Sequence, residues 1–268
     1  MKNYLFPKNY MGRPAEELMM LCKELGIDGP TALIRDGYWM QADNMKETLP
    51  AFVRLAEQYG LEVVYAETPF QMEKLPELDD KLAVMADCGI RQFRVDFFAK
   101  NAVPARELAG RLARMTETAA KAADRHGLRA VVQLHGGAYP HSATAAWPAV
   151  KNLDPRYIGV KLDPGTNLLQ EGYEDFSYQI GLLGEYIAAI GEKDGAVFRE
   201  HPSETGAKGW TSRWVPSQQG MINYDSIFAL LKKQNLDIPG ILMPFYDEGA
   251  LQEEVAYFLR CQREAGLS

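Results

Sequence analysis

The chain has 268 residues, 47% of them apolar, a formal net charge of −7 and a pI near 5.3. This length suits one large core, and without low-complexity runs we expect a single domain over residues 1–268. The acidic balance argues against a nucleic-acid surface, which needs a clustered basic face, and favours a small neutral or weakly charged ligand. No apolar run resembles a signal peptide or reaches the roughly 20 residues of a membrane span, so we expect a cytoplasmic protein without membrane contact.

Strand-like and helix-like segments alternate eight times along the chain. The predicted pairs of the N-terminal half are Lys2–Phe6 with Arg13–Leu25, Pro30–Arg35 with Met45–Tyr59, Leu61–Glu67 with Asp79–Asp87, and Arg91–Phe98 with Pro104–His126. Those of the C-terminal half are Leu128–His135 with Ala143–Asn152, Tyr157–Asn167 with Tyr173–Gly184, Tyr186–Asp194 with Asn223–Lys233, and Gly240–Tyr246 with Leu251–Gln262. Eight such pairs without hairpin signals predict a parallel (β/α)₈ TIM barrel.

One connection is long. Residues 195–221 have no clear helical or strand period and contain Trp210 and Trp214. A connection of this length in a compact domain is usually functional, so we predict a lid-like loop.

The sixth predicted strand, YIGVKLDPGTN, has two unlike faces. Ile158, Val160 and Leu162 alternate with Gly159, Lys161 and Asp163. This alternation is typical of a barrel strand with apolar residues outward and polar residues inward. Asp163 would then lie at the C-terminal mouth, where TIM barrels carry their chemistry, although an aspartate that only caps the next turn fits the same spacing.

Other strands bring further polar residues to the predicted mouth. The set comprises Glu67, Asp96, Gln133, His135, Lys161, Asp163, Lys193, Asp247 and Glu248. Buried charges need partners, so two pairs, Arg94 with Asp96 and Lys161 with Asp163, could simply neutralise one another. A lysine held beside an acid in a dry cavity could instead act as a base or an imine-forming nucleophile.

The C-terminal half resembles the xylose-isomerase-like TIM-barrel family, which includes sugar phosphate isomerases and epimerases, inosose dehydratases and the endonuclease IV group. The similar segments are VVQLHGG at 131–137, IGVKLDPGTN at 158–167, YIAAIGEKD at 186–194 and VPSQQGMINYDSI at 215–227. The resemblance implies one divalent metal held by Glu, Asp, His and Glu at the ends of strands five to eight.

This sequence departs from that ligand set. Gln133 stands at the first position, Gly191 at the third and Pro244 or Phe245 at the fourth, so only Asp163 is kept. One carboxylate and a neutral amide form too weak a set to hold a divalent ion. We therefore expect no cofactor and no functional site for Mn, Mg, Zn or Co. A rebuilt site would use Asp163 and Gln133, with Asp247, Glu248 or Glu192 as further donors.

The resemblance implies a sugar or polyol isomerase or epimerase that moves a proton next to a carbonyl group of a small carbohydrate. The predicted catalytic residues are Asp163, Lys161, His135 and Glu67. The predicted substrate-binding residues are Gln133, Lys193, Asp96, Trp210 and Trp214. Two alternatives stay open: a Schiff-base aldolase that uses Lys161, and a non-catalytic sugar-binding protein that uses the two tryptophans as stacking platforms. Apolar outer helices leave a homo-oligomer open as well.

Overall fold

The computed structural model describes residues 1–171, 173–199, 210–245 and 248–267, with the backbone alone at 171, 210 and 248. Its main sheet is parallel throughout. The strands of this sheet are β1 Asn3–Leu5, β2 Gly29–Pro30, β3 Ala32–Leu33, β4 Tyr65–Glu67, β5 Gln92–Arg94, β6 Arg129–Gln133, β7 Ile158–Leu162, β8 Ile187–Glu192 and, further along the chain, β11 Gly240–Leu242. Their order is β2-β1-β11-β8-β7-β6-β5-β4-β3. Only Thr31 separates β2 from β3, so the two short strands share the second barrel position and the predicted TIM barrel is confirmed.

Helices follow the strands and pack around the outside of the barrel, apart from the single turn Pro164–Thr166 at the C-terminal end of β7. They are α1 Ala15–Leu25, α2 Met45–Gln58, α3 Asp79–Asp87, α4 Leu108–Asp124, α5 Ala143–Val150, α6 Pro164–Thr166, α7 Phe176–Leu183, α8 Tyr224–Lys233 and α9 Leu251–Ala265. Their apolar residues recur at helical spacing, as when α2 buries Met45, Leu49, Phe52 and Ala56. No helix in the described part of the chain is long and apolar enough to cross a membrane.

The strands divide the interior into two layers. Ile158, Val160 and Leu162 of β7 belong to the larger cluster between barrel and helices, as their alternation predicts. A smaller cluster, which includes Tyr65 and Ile241, fills the inside of the barrel. The barrel centre is therefore apolar at this level. Glu67, Lys161 and Asp163 lie toward its C-terminal end, and the Arg129 guanidinium lies at its N-terminal end.

The first strand closes the barrel against the last one. β1 pairs with β11 in parallel, from Asn3 opposite Gly240 to Leu5 opposite Leu242. The side-chain amides of Asn3 and Gln262 exchange hydrogen bonds of 2.9 and 2.7 Å. Gln262 Nε2 also donates to Glu192 Oε1 at 2.8 Å, which places Glu192 between barrel and helix and outside the mouth.

The connection at 195–221 contains strands that the sequence did not indicate. β9 Asp194–Arg199 pairs with β10 Trp210–Val215 as an antiparallel hairpin. The prediction of a stretch without strands is wrong here, because neither strand has one apolar face and one polar face that alternation could reveal. Residues 200–209 and 246–247 lie outside the described part, and the role as a lid stays a prediction.

Candidate functional site

A cavity of about 290 Å³ opens at the C-terminal ends of the barrel strands. Among its lining residues are Glu67, Arg94, Gln133, His135, Lys193 and Trp214. Phe6, Phe97, Met243 and Phe245 supply apolar wall. This cavity, here called the mouth cavity, thus combines ionisable groups with apolar walls, as small-molecule sites usually do.

Glu67 ends β4 and is only 1% exposed. Its carboxylate accepts a hydrogen bond from Lys161 Nζ at 2.9 Å and another from Arg94 Nε. Burial alone would raise the pKa of Glu67, but the Lys161 ammonium and the Arg94 guanidinium outweigh it and hold the pKa below its ordinary value. Glu67 is therefore ionised and has both carboxylate oxygens engaged.

Asp163 follows β7 directly and is completely buried. Its carboxylate lies 3.0 Å from Lys193 Nζ and accepts a hydrogen bond from Gln133 Nε2 at 2.5 Å. It also accepts a hydrogen bond from the Thr166 amide at 3.3 Å and so caps α6, which means that the capping role and the mouth position coexist. Burial would raise the pKa of Asp163, but Lys193 and His135 lower it.

Both predicted ion pairs are wrong, because each cation pairs with a different carboxylate. Arg94 and Lys161 pair with Glu67 rather than with Asp96 and Asp163. Residues two apart on one strand are separated by roughly 6.6 Å, whereas neighbouring strands lie about 4.8 Å apart. This spacing favours the residue that faces Arg94 on the neighbouring strand, which is Glu67 of β4. Lys161 of β7 instead reaches Glu67 across the inside of the barrel, because β7 and β4 are three strands apart in the sheet order.

Asp96 does not share the mouth cavity, contrary to the prediction. It lies beyond the end of β5 and lines a separate cavity together with Glu73 and Arg111. β5 ends at Arg94, and beyond it Phe97 rather than Asp96 lines the mouth cavity, so the parity of the strand does not fix the direction of Asp96.

His135 lines the mouth cavity, and its ring packs on Phe97 with a centroid distance of 4.4 Å. Nδ1 lies 2.6 Å from the carbonyl oxygen of Gly136. A carbonyl only accepts hydrogen bonds, so the proton of a neutral ring is on Nδ1 and Nε2 keeps its lone pair. Burial lowers the pKa of His135, against the opposing effect of the Asp163 carboxylate, and so favours this neutral form.

The two buried lysines differ in access to the mouth cavity. Lys193 lines it, is 2% exposed, and has its Nζ 4.8 Å from the ring centre of Trp214 and 5.0 Å from that of Phe245. Burial lowers the pKa of Lys193, and the Asp163 carboxylate opposes that shift. Lys161 is completely buried and does not line the cavity. An imine-forming lysine must meet its substrate, which counts against the Schiff-base alternative at Lys161.

Of the two tryptophans predicted to bind the substrate, the structure describes the side chain of only one. Trp214 lines the mouth cavity, with its ring 5.7 Å from that of Phe245. The side chain of Trp210 lies outside the described part of the chain, as do Asp247 and the side chain of Glu248.

Sequence reasoning missed several lining residues. Arg94 was assigned only to a neutralising pair, although its inward parity placed it at the mouth. Lys8 lies in the 3₁₀ turn Pro7–Tyr10 of the connection after β1, and Arg35 lies in the loop after β3. Such loops carry no periodic pattern, but their place after barrel strands was a usable signal, because the βα loops form the mouth of a TIM barrel.

The residues at the family's metal positions do not fit a divalent ion. Gln133 presents its amide nitrogen, not its oxygen, to Asp163, and the Lys193 ammonium lies against the same carboxylate. Gly191 has no side chain to donate. Across the described residues, no three His, Cys, Asp or Glu side chains form a group suited to a metal. A metal-free site stays a prediction, which this donor set supports.

The family model described as xylose isomerase-like TIM barrel matches residues 20–261. A xylose isomerase-like TIM barrel protein from Mycobacterium smegmatis, in complex with magnesium, is 14% identical with a TM-score of 0.75, over 100% of this chain and 98% of that one.

Two epimerase structures are similar as well. D-psicose 3-epimerase in the presence of D-fructose is 15% identical with a TM-score of 0.71, over 100% of both chains. Apo 3-keto-D-glucoside 4-epimerase from E. coli is 14% identical with a TM-score of 0.69, over 97% of this chain and 100% of that one. No curated protein sequence matches. At these identities the solved structures establish the fold.

Proposed function

The chain belongs to the xylose isomerase-like TIM-barrel family, and on that premise we propose that it is a metal-independent sugar or polyol isomerase or epimerase. One observation carries the proposal. The mouth cavity brings a ring nitrogen with a free lone pair, on His135, together with two cationic groups, on Lys193 and Arg94. Moving a proton next to a carbonyl group requires a base and a cationic partner for the oxygen that becomes negative.

His135 is the base in this mechanism. Its Nε2 removes the proton from the carbon next to the substrate carbonyl and leaves an enediolate. In an isomerisation the imidazolium gives that proton to the former carbonyl carbon, while the hydroxyl proton passes from one enediolate oxygen to the other. In an epimerisation a water molecule protonates the original carbon from its opposite face, and His135 releases its proton to solvent. The Gly136 carbonyl holds the ring in the tautomer that accepts at Nε2. The lowered pKa of His135, which burial causes, keeps the ring neutral and ready to accept the proton.

Lys193 supplies the positive charge that an enediolate oxygen needs. Asp163 holds the Lys193 ammonium from one side, and the rings of Trp214 and Phe245 exclude water from the other. Asp163 itself is a positioning residue here, because its carboxylate is occupied by Lys193, Gln133 and a backbone amide.

Arg94 is the second cation, and Glu67 orients it. The Glu67 carboxylate sits between Arg94 and Lys161 and has a lowered pKa, which makes it a weak base. Glu67 and Lys161 are therefore assigned to holding the site together rather than to proton transfer.

Exchange of substrate hydrogen with D₂O tests the proposal. Ketoses and aldoses are incubated with the protein and a chelator, and NMR follows deuterium entering the carbon next to the carbonyl. The wild type is expected to exchange at least one sugar, and His135→Asn is expected to lose about 100-fold or more of that rate. His126→Asn, at a partly buried histidine beside Asp79 that follows α4 and precedes β6, is the control and should keep it.

Two outcomes would contradict the mechanism. If chelation abolished exchange and added Mn, Mg, Zn or Co restored it, the reaction would require a divalent metal ion. Saturable sugar binding without any exchange across the panel would favour the non-catalytic sugar-binding alternative, in which Trp214 acts as the stacking platform.

A further inference from the structure

We propose that the substrate of the mouth cavity is anionic: a sugar or polyol derivative that carries a carboxylate or a phosphate, held at the cavity rim by Lys8 and Arg35. The proposal rests on the proposed function for the chemistry deeper in the cavity. It also replaces the expectation of a neutral or weakly charged ligand, which was based on the net charge of the whole chain.

The lining of the mouth cavity is cationic in an acidic protein. Its described lining residues carry positive charge on Lys8, Arg35, Arg94 and Lys193 and negative charge on Glu67. The chain as a whole has a formal net charge of −7. A concave surface with low-dielectric walls focuses the field of its charges, so the local excess governs which ligand enters.

The cations divide into an inner and an outer pair. Lys193 and Arg94 are each committed to a buried carboxylate, on Asp163 and Glu67 respectively. Lys8 and Arg35 are exposed, and no carboxylate of the described residues forms a salt bridge with either. Among the described residues, the outer pair is thus the part of the lining whose charge no carboxylate offsets.

The outer pair is built into one unit. The Tyr38 hydroxyl donates to the Lys8 carbonyl at 2.7 Å, and the Tyr38 amide donates to the Arg35 carbonyl at 3.1 Å. Tyr38 therefore ties the loop after β1 to the loop after β3. The two loops are therefore fixed to one another before a ligand contacts both cations. Binding then orders the loops less and costs less conformational entropy.

Phe245 links the rim to the catalytic end of the cavity. The Lys8 ammonium lies 5.0 Å from the centre of its ring, and the Lys193 ammonium lies 5.0 Å from the same centre. One small ligand can therefore place an anionic group near Lys8 and a carbonyl near Lys193. A volume of about 290 Å³ suits a monosaccharide derivative rather than a longer saccharide.

Matched sugars test the inference by titration calorimetry at low and moderate salt. Each series contains the neutral hexose, its 6-phosphate and the uronic acid oxidised at the same carbon, with glucose and fructose as parents. At least one anion is expected to bind about tenfold or more tightly than its neutral parent, by a margin that shrinks as salt is added. Preference for the 6-phosphate or for the uronate identifies the anionic group.

Variants test whether Lys8 and Arg35 cause the preference for the anion. Lys8→Gln and Arg35→Gln are each expected to weaken anion binding by about fivefold, near the upper end for an exposed charge pair. In the double variant the preference for the anion over its neutral parent should fall to about threefold or less. Lys151→Gln, an exposed lysine just after α5 at the opposite end of the barrel, is the matched control and should leave the preference unchanged.

Equal or tighter binding of the neutral parents, a preference that survives the double variant, or no saturable binding of any anion would each overturn the inference. Deuterium exchange on the same samples separates it from the proposed function. Selective anion binding without exchange keeps the anionic ligand and refutes the isomerase. Exchange of neutral sugars without anion preference keeps the isomerase and refutes the anionic ligand.

Discussion

Replacing Lys161 with methionine leaves the Glu67 carboxylate buried with one cation instead of two. Removing one partner of a buried ion pair typically costs about 3–5 kcal/mol, and because Arg94 remains we expect about 3 kcal/mol. With an unfolding entropy of about 2.1 cal/mol/K per residue over 268 residues, this loss corresponds to a Tm about 5 °C lower. The variant should therefore be folded but measurably less stable.

The pH dependence of the same variant separates a charge effect from a packing effect. Because the folded-state pKa of Glu67 lies below its ordinary value of 4.5, ionised Glu67 stabilises the wild type above that pH. This stabilisation is lost as the pH falls through the folded-state pKa. The deficit of Lys161→Met should thus be largest at neutral pH and shrink below about pH 4.5, whereas a packing deficit would not change.

Urea unfolding followed by circular dichroism at pH 7 and pH 4 measures both quantities. Lys151→Met is the matched control, and a substitution at this exposed position should change the free energy of unfolding by about 0.5 kcal/mol or less. If Lys161→Met costs no more than the control, or costs the same at both pH values, the buried ion pair with Glu67 does not exist as described.

Further predictions concern other parts of the molecule. Burial raises the pKa of Glu192 to about 8, so this carboxyl keeps its proton in the folded state while the unfolded state releases it above about pH 4.5. Wild-type stability should therefore fall between pH 5 and 8, and Glu192→Gln should gain stability across that window by about 1 kcal/mol per pH unit, measured by urea unfolding; a constant difference would contradict this. Gly29→Ala should cost about 3 kcal/mol or more in the same assay, because its Cβ would lie 2.1 Å from the Glu62 carbonyl oxygen, whereas Gly89→Ala, with nothing within 4 Å and only its φ of +78° to strain, should cost about 1 kcal/mol. Equal losses at the two glycines would refute the close approach.

The fold was predictable because its signal is local. In β7, Ile158, Val160 and Leu162 alternate with residues of a different kind, and this pattern alone assigns an outer and an inner face. Hairpin β9–β10 carries no such pattern. Its strands are held by backbone pairing, which depends little on residue type.

The site was predictable as a set of residues but not as a set of contacts. Glu67, Gln133, His135, Lys193 and Trp214 do meet at the mouth cavity. Which lysine pairs with which acid depends on how the strands face one another across the closed barrel, and no single strand contains that information. The sequence therefore placed Lys161 beside Asp163, although the acid nearest to its ammonium comes from a strand 94 residues earlier.

The closure of the barrel has a consequence for the order in which the chain can fold during synthesis. Strand β1 leaves the ribosome before the other barrel strands, yet one of its two neighbours, β11, follows more than 200 residues later, and the Asn3–Gln262 contact spans 259 residues. Until then one edge of β1 exposes unpaired backbone groups that can pair with other chains. We expect nascent chains that end before β11 to need protection from aggregation, and native structure to form late and in one step.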